Sequence, residues 1–399
     1  GYDANGATNP VTLSSNWLYN FLNGAINDYS SWISINPTSN VNVGLGFTLK
    51  GSGAATPDQT YTFRGQPNNG TITHSISGSN LALIGNPYPS AIDANTFIDD
   101  NGPLGSSTLL DGALIFWEQA LSNNSHYLSE YEGVYAYYTK LGGVPSVTPP
   151  EINGSGNTGK IPQRYVPVGQ GFFVLADADG GTITFNNSQR TFVKETSGAS
   201  VFMRSNGLNL NSENSESEAY NDGIKRLRLK VTTSENAGRH LLLGFTPNNE
   251  ATDGVDYGYD AQNRDQLTND ASWSIEDNNY IIQGVGEFDE LNTYPLNIHL
   301  SDQGNVSISL TDLENFDEDI DVFVYDSTED SYTQINYSNF NINLEAGDYN
   351  GRFNIVFVED NSLSIIDTQL KDITVKYLHN SNELYIKTPS SINAKQIYM

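Results

Sequence analysis

Leu83-Ile-Gly-Asn-Pro-Tyr-Pro-Ser-Ala-Ile-Asp93 sets two prolines one residue apart, directly after the apolar run Leu81-Ala-Leu-Ile84. Each proline fixes its own φ, removes an amide donor and biases the residue before it, Asn86 or Tyr88, away from helical backbone. The run is therefore a strand driven out of its ladder and turned, with Tyr88 on a stiff extended segment. The same grammar recurs along the chain. Val41–Leu49, Gly171–Leu175, Gly181–Phe185, Leu227–Val231, Val306–Leu310 and Asp321–Tyr325 are short alternating or apolar runs between Gly, Asn, Pro and Asp clusters, and helical periodicity is almost absent. The fold class this predicts is all-β, in tandem β-sandwich or jelly-roll-like modules. In Leu227-Arg-Leu-Lys-Val231 the alternation assigns Leu227, Leu229 and Val231 to a core and Arg228 and Lys230 to water.

At 399 residues the chain exceeds the roughly 250–300 that one core serves, so several modules are expected. Residues 1–204 read as a β-rich module with a degenerate internal repeat. Val43-Gly-Leu-Gly-Phe47 matches Val168-Gly-Gln-Gly-Phe172, and the aromatic segments around Trp17 and Trp32 correspond to those around Trp117 and Tyr135. The first copy opens part-way through, so the chain reads as a piece of a longer polypeptide. A polar, acidic linker or loop follows at 205–218, then an acidic β-sandwich module at 219–362, then the beginning of a further domain at 363–399.

Acidic residues outnumber basic ones 47 to 19, for a net charge of −28. Nucleic acid and anionic membrane surfaces are excluded as partners, since both require clustered Lys and Arg; cations suit such a surface. The chain has no cysteine, which removes disulfides, thiolate metal sites and thiol nucleophiles. No apolar run approaches the roughly 18 residues of a spanning helix, so membrane insertion is not expected.

Four features bear on a site. Around the prolines, Tyr88, Ser90 and Asp93 form either a binding surface or a rigid corner with a buried tyrosine and an Asp cap, the corner being the commoner use of Gly85, Asn86, Pro87, Tyr88 and Pro89 in such a pattern. The pairs Gly44/Gly46 and Gly169/Gly171 lack the helix and the Lys-Ser/Thr of a phosphate loop, so they serve sheet bending or close backbone approach. Thr252–Asp265 offers Asp253, Asp256, Asp260 and Asp265 among glycines, a donor set suited to calcium although without EF-hand spacing. Tyr127, Tyr131, Tyr135, Tyr137 and Tyr138, with Trp117, compose either a sugar-stacking platform or packed core. The five histidines are scattered, and no two of the 47 carboxylates are singled out as a catalytic pair, so no catalytic residues are assigned.

Gly85-Asn-Pro-Tyr-Pro-Ser-Ala-Ile-Asp93 resembles a segment common in large surface proteins of the Bacteroidetes exported by the type IX secretion system. The likeness extends to Gly112–Trp117, Pro167–Phe173 and Ile183–Arg190. Asp256–Ala261 and Leu344–Asp348 with Arg352-Phe353 are similar to the module usually found next, and Ile373–Tyr377 through Met399 looks like the opening of a type A, Ig-like C-terminal sorting domain. The resemblance implies a non-catalytic stalk, accessory and sorting region of an adhesin-like protein, outside the cell or on the outer-membrane surface, with the secretion machinery as partner of its C-terminal segment. The alternative it carries is a carbohydrate-binding module of a secreted polysaccharide-degrading enzyme, with surface glycans as partners.

Overall fold

The computed structural model describes residues 15–26, 28–50, 64–119, 133–147, 160–194, 198–201, 203, 222–233, 238–317, 319–359, 374–378 and 383–387. It is all-β as expected, apart from one α-helix and short 3-10 turns among these residues. The expected linker 205–218, Tyr127 and Tyr131 lie outside them.

The first sheet is formed by Leu22–Ala25 (β1), Asn80–Gly85 (β2), Leu114–Gln119 (β3), Gly133–Thr139 (β4), Gly142–Val144 (β5) and Gly171–Leu175 (β6), in the order β1-β2-β6-β3-β4-β5. One face, carrying Ala82, Ile84, Leu114, Phe116, Ala136, Tyr138, Phe172 and Val174, packs on the helix Ala94–Asn101 (α1) and on Ile183 and Phe185. Burial on both faces explains why Leu81-Ala-Leu-Ile84 and Phe172-Phe-Val-Leu175 are continuously apolar instead of alternating.

The second sheet comprises Lys225–Thr232 (β7), Gly238–Phe245 (β8), Ala261–Gln262 (β9), Asp270–Ile275 (β10), Asn278–Val285 (β11), Tyr294–Leu300 (β12), Gly304–Glu314 (β13), Phe323–Asp326 (β14), Ser331–Gln334 (β15), Phe340–Leu344 (β16) and Gly347–Val356 (β17). Its order is β15-β14-β17-β12-β10-β11-β8-β7-β13-β16, with β9 beside β11. Residues from both ends of that order, Val324 and Phe340, share one core with Leu229, Trp273 and Phe353, so the sheet curls over its own inner face. Leu227, Leu229 and Val231 are buried in it as the alternation predicts. The reading of the opposite face needs correcting: Arg228 and Lys230 are half-buried and Arg226 is fully buried.

That opposite face is covered by the first sheet. Leu83, Ile115, Tyr137, Leu141 and Phe173 cluster with Leu242, Ala251, Tyr259, Ala261, Ile281 and Ile282. Gly1–Phe357 is one compact unit, so the regions expected as the modules 1–204 and 219–362 each supply a sheet to a shared body. Val358–Met399 forms a second unit, in which Thr374–Leu378 (β18) and Glu383–Lys387 (β19) pair antiparallel. This hairpin is the described part of the expected C-terminal domain.

Candidate functional site

The two prolines build a corner that faces inward. Asn86 is buried and its Nδ2 donates to the carbonyls of Ser90 (2.8 Å), Val166 (3.1 Å) and Pro167 (3.2 Å), while its Oδ1 accepts from the Tyr88 amide at 3.0 Å. Tyr88 is 1% exposed; its hydroxyl donates to Gly70 O at 2.7 Å and Arg190 lies over its ring. Ser90 Oγ accepts from Arg190 Nε at 3.3 Å, and Asn68 Nδ2 donates to Pro87 O. Asp93 caps α1 through the Asn95 amide at 3.0 Å and receives a two-pronged bond from Arg164. Tyr88, Ser90 and Asp93 thus hold the corner together. Replacing Asp93 with alanine removes both cap and ion-pair partner and is expected to cost about 1–2 kcal/mol, read as a lower denaturation midpoint.

The two glycine pairs flank the strand that ends in this corner. Gly44 and Gly169 both have left-handed backbone, with φ of +88° and +75°. Gly85 N donates to Gly44 O and Asn86 N to Gln170 O, while Gly171 pairs with Gly85. A Cβ on Gly46 would stand 2.8 Å from Ile84 O, so the pair permits the close backbone approach expected of it. The two matching segments lie on opposite sides of one strand, β2.

The aromatic candidates divide. Tyr137 and Tyr138, being consecutive in β4, point to opposite faces: Tyr138 OH donates to Asn95 Oδ1 at 2.8 Å and Tyr137 OH to Asp265 Oδ1 at 3.1 Å. Trp117, Tyr135, Phe173 and Trp32 follow one another edge-to-face, at centroid separations of 5.1, 6.1 and 6.0 Å. These rings pack on one another as a core does; they do not lie coplanar.

The candidate calcium loop proves to be a strap between the sheets. Asp253 is exposed; Asp256 Oδ2 accepts from the Thr252 amide and hydroxyl at 2.6 and 2.8 Å. Asp260 is 0% exposed, and its two oxygens accept from the backbone amides of Asp256 (2.5 Å) and Gly284 (2.6 Å). Asp265 faces Tyr137 and, at 3.3 Å, Arg239, whose guanidinium also grips Asp270 at 2.7 Å. The four carboxylates do not converge, and among the described residues no group of three His, Asp or Glu is placed to hold a metal ion. The loop gives no geometric support to calcium, because Asp253 is exposed while Asp256, Asp260 and Asp265 are each turned to separate protein donors.

Two connections from this strap and one turn join the sheets. Tyr257 leaves the strap and lies against Gly102 and Gly112, where a Cβ would meet its ring at 2.2 and 3.0 Å, and its hydroxyl donates to Ile98 O at 2.8 Å. Burial pushes that hydroxyl's pKa well up, so it stays a donor at any ordinary pH. Arg264 Nη2 reaches Asp111 at 2.6 Å. In the other direction, the turn between β4 and β5 enters the second sheet. Thr139 Oγ1 donates to Tyr259 O, the Lys140 amide to Gly258 O, and the Leu141 side chain fills the hollow over Gly244 and Gly284, which are paired in the parallel strands β8 and β11. Arg226 Nε donates to Leu141 O at 2.5 Å and Arg228 Nη1 to Gly143 O at 2.8 Å. Arg226 is held in turn by Asp222, and Arg228 by Glu314 at 2.5 Å. Removing only the hydroxyl, Tyr257→Phe, leaves Ile98 O without its donor and is expected to cost about 1–2 kcal/mol, with amide exchange accelerating in the strap ahead of β12 and β17.

Neither Arg226, Arg239 nor the 139–143 turn stands out as a site in the sequence. The available signal is a cationic residue on the face of an alternating strand in a chain poor in cations; that alternation assigns Arg228 and Lys230 to water and gives no reading of Arg226 or Arg239. Comparison with known proteins returns one family, described as a domain of unknown function (DUF8693), whose profile matches residues 5–357. No curated protein and no solved structure matches.

Proposed function

The chain belongs to the DUF8693 family, a domain of unknown function, and on that footing we propose that it is a non-catalytic accessory module, a stiff stalk or spacer within a larger adhesin-like protein outside the cell or on its surface. The supporting observation is the seam. Arg226, Arg228 and Arg264 donate to Leu141 O, Gly143 O and Asp111, Asp265 accepts from Tyr137, and Tyr257 donates to Ile98 O, an arrangement that resists hinge motion between the two halves. A spacer made of independently folded modules bends at its linkers; this one has a turn from one sheet and a strap from the other crossing in opposite directions. Export by the type IX secretion system, with the C-terminal segment as its signal, belongs to the same proposal and rests on the sequence likeness of Gly85–Asp93 and its companions.

Panels of polysaccharide and peptide substrates together with a glycan array test it. No turnover and no reproducible glycan signal are expected. Turnover abolished by one carboxylate substitution, or saturable glycan binding lost on Trp117→Ala, would replace the spacer reading with an enzyme or a lectin. Secretion from a host that carries the export system tests the second half, and retention of the intact protein inside such cells overturns it.

A further inference from the structure

Four Asn-Gly pairs fall within the described residues, at Asn23, Asn69, Asn101 and Asn350. In this dipeptide the glycine nitrogen can attack the asparagine side-chain carbon. Ammonia leaves, a five-membered succinimide forms, and water opens it at either carbonyl to give aspartate or isoaspartate. The first step needs a side-chain amide free to turn over the following peptide and a backbone free to pucker.

Three of the four pairs are held against it. Asn23 Oδ1 accepts from the Ser77 amide at 2.5 Å and from Asn80 Nδ2 at 3.1 Å, and Gly24 is crowded by Phe21 and Ser31. Asn69 Oδ1 accepts from Arg190 at 3.0 Å, while the attacking nitrogen, Gly70 N, is engaged with Asn187 Oδ1 at 3.1 Å. Asn101 is fully buried: its Nδ2 donates to Phe97 O and Thr184 O, its Oδ1 accepts from Thr184 N, and Gly102 N donates to Asp99 O.

Asn350 differs in each respect. It is exposed, and its side-chain amide has no hydrogen-bond partner among the described residues. The pairing of β12 with β17 jumps from Asn297↔Asn350 to Leu296↔Phe353, so Gly351 and Arg352 form a bulge with no partner on β12. Gly351 has φ +69°, and nothing lies within 4 Å of where its Cβ would be. The ladder that elsewhere restrains a strand is interrupted at the reacting peptide.

We propose that Asn350 is a deamidation site built into β17, converting in the folded protein to aspartate and isoaspartate with water as the co-reactant. The new carboxylate arises on the face of β17 that carries Asp348, which bonds His299 at 2.6 Å. The extra backbone methylene of isoaspartate falls in a bulge, where the register is already broken. Position 350 thus acquires negative charge as the protein ages.

The test is peptide mapping by mass spectrometry after incubating the intact chain at mildly alkaline pH, natively and in urea. In urea all four pairs are expected to convert at similar rates, their dipeptide being the same. In the native protein the Asn350 peptide should convert about tenfold or more faster than those of Asn23, Asn69 and Asn101, on the order of the protection a retained hydrogen bond gives, and Asn350→Gln should abolish its product. Native rates for the four within about twofold of one another, or any of the other three reacting first, overturn the proposal.

Discussion

In an Arg226→Ala protein the urea midpoint falls with little change in slope, corresponding to a loss of about 3–5 kcal/mol. Arg226 has no exposed side-chain surface, and its guanidinium lies where the first sheet's turn meets β7. Its removal opens a cavity and leaves Leu141 O without the Arg226 donor, while Ile224 O keeps its bond from Asn315 Nδ2 at 2.8 Å. Asp222, 27% exposed, keeps some hydration when its partner goes, so the orphaned Leu141 carbonyl and the void weigh more than the broken pair. Arg226→Lys separates these contributions. It keeps the charge and most of the volume but not the planar fork that reaches Leu141 O and Asp222 together, so an intermediate loss is expected. A lysine variant as unstable as the alanine one would place the effect in the fork's hydrogen bonds, and an unchanged midpoint in both would show that the seam does not stabilise the body.

The same residue shows what the sequence could and could not disclose. The all-β class followed from punctuation: Pro87 and Pro89 after Leu81-Ala-Leu-Ile84, and Gly169 before Phe172, are local rules, and local structure obeys them. The glycine pairs were legible for the same reason, since a left-handed φ at Gly44 and Gly169 is a property of one residue. The corner was legible too, with Tyr88 inside and Asp93 as cap. What failed was the assumption that a strand has a wet face. Arg226 and Arg228 alternate with Leu227 and Leu229 as a surface would, yet the face they occupy is covered by another sheet, a non-local fact that alternation cannot encode. The acidic loop failed in a related way. Asp256, Asp260 and Asp265 have the chemistry of calcium ligands, but each side chain turns to a different donor: a threonine, two backbone amides, a tyrosine and an arginine. Composition gives the valence of a loop and not the direction its oxygens face.

Asp260 should make the seam sensitive to pH. Burial pushes its carboxyl up to about 7 from an ordinary 3.8, against the pull of the two amides of Gly284 and Asp256, with the carboxylates of Asp256 and Asp111 adding to the rise. The folded chain therefore holds a proton that the unfolded chain releases between about pH 4 and 7. The stability this site contributes is complete below about pH 4, declines as pH rises toward 7 and stays level beyond. The decline amounts to at most about 4 kcal/mol, from roughly three pH units at 1.36 kcal/mol each. Asp260→Asn cannot ionise, so its stability profile should lack that decline. At pH 4 it should be less stable than the parent, because its Nδ2 meets one of two amide donors where an oxygen stood; by pH 8 the difference should shrink or reverse. Amide exchange adds a local reading, since Gly284 and Asp256 donate to this carboxyl and Gly284 also floors the hollow that receives Leu141. Denaturation profiles of parent and variant that stay parallel from pH 4 to 8 would mean that Asp260 remains charged throughout, its two amides outweighing the burial.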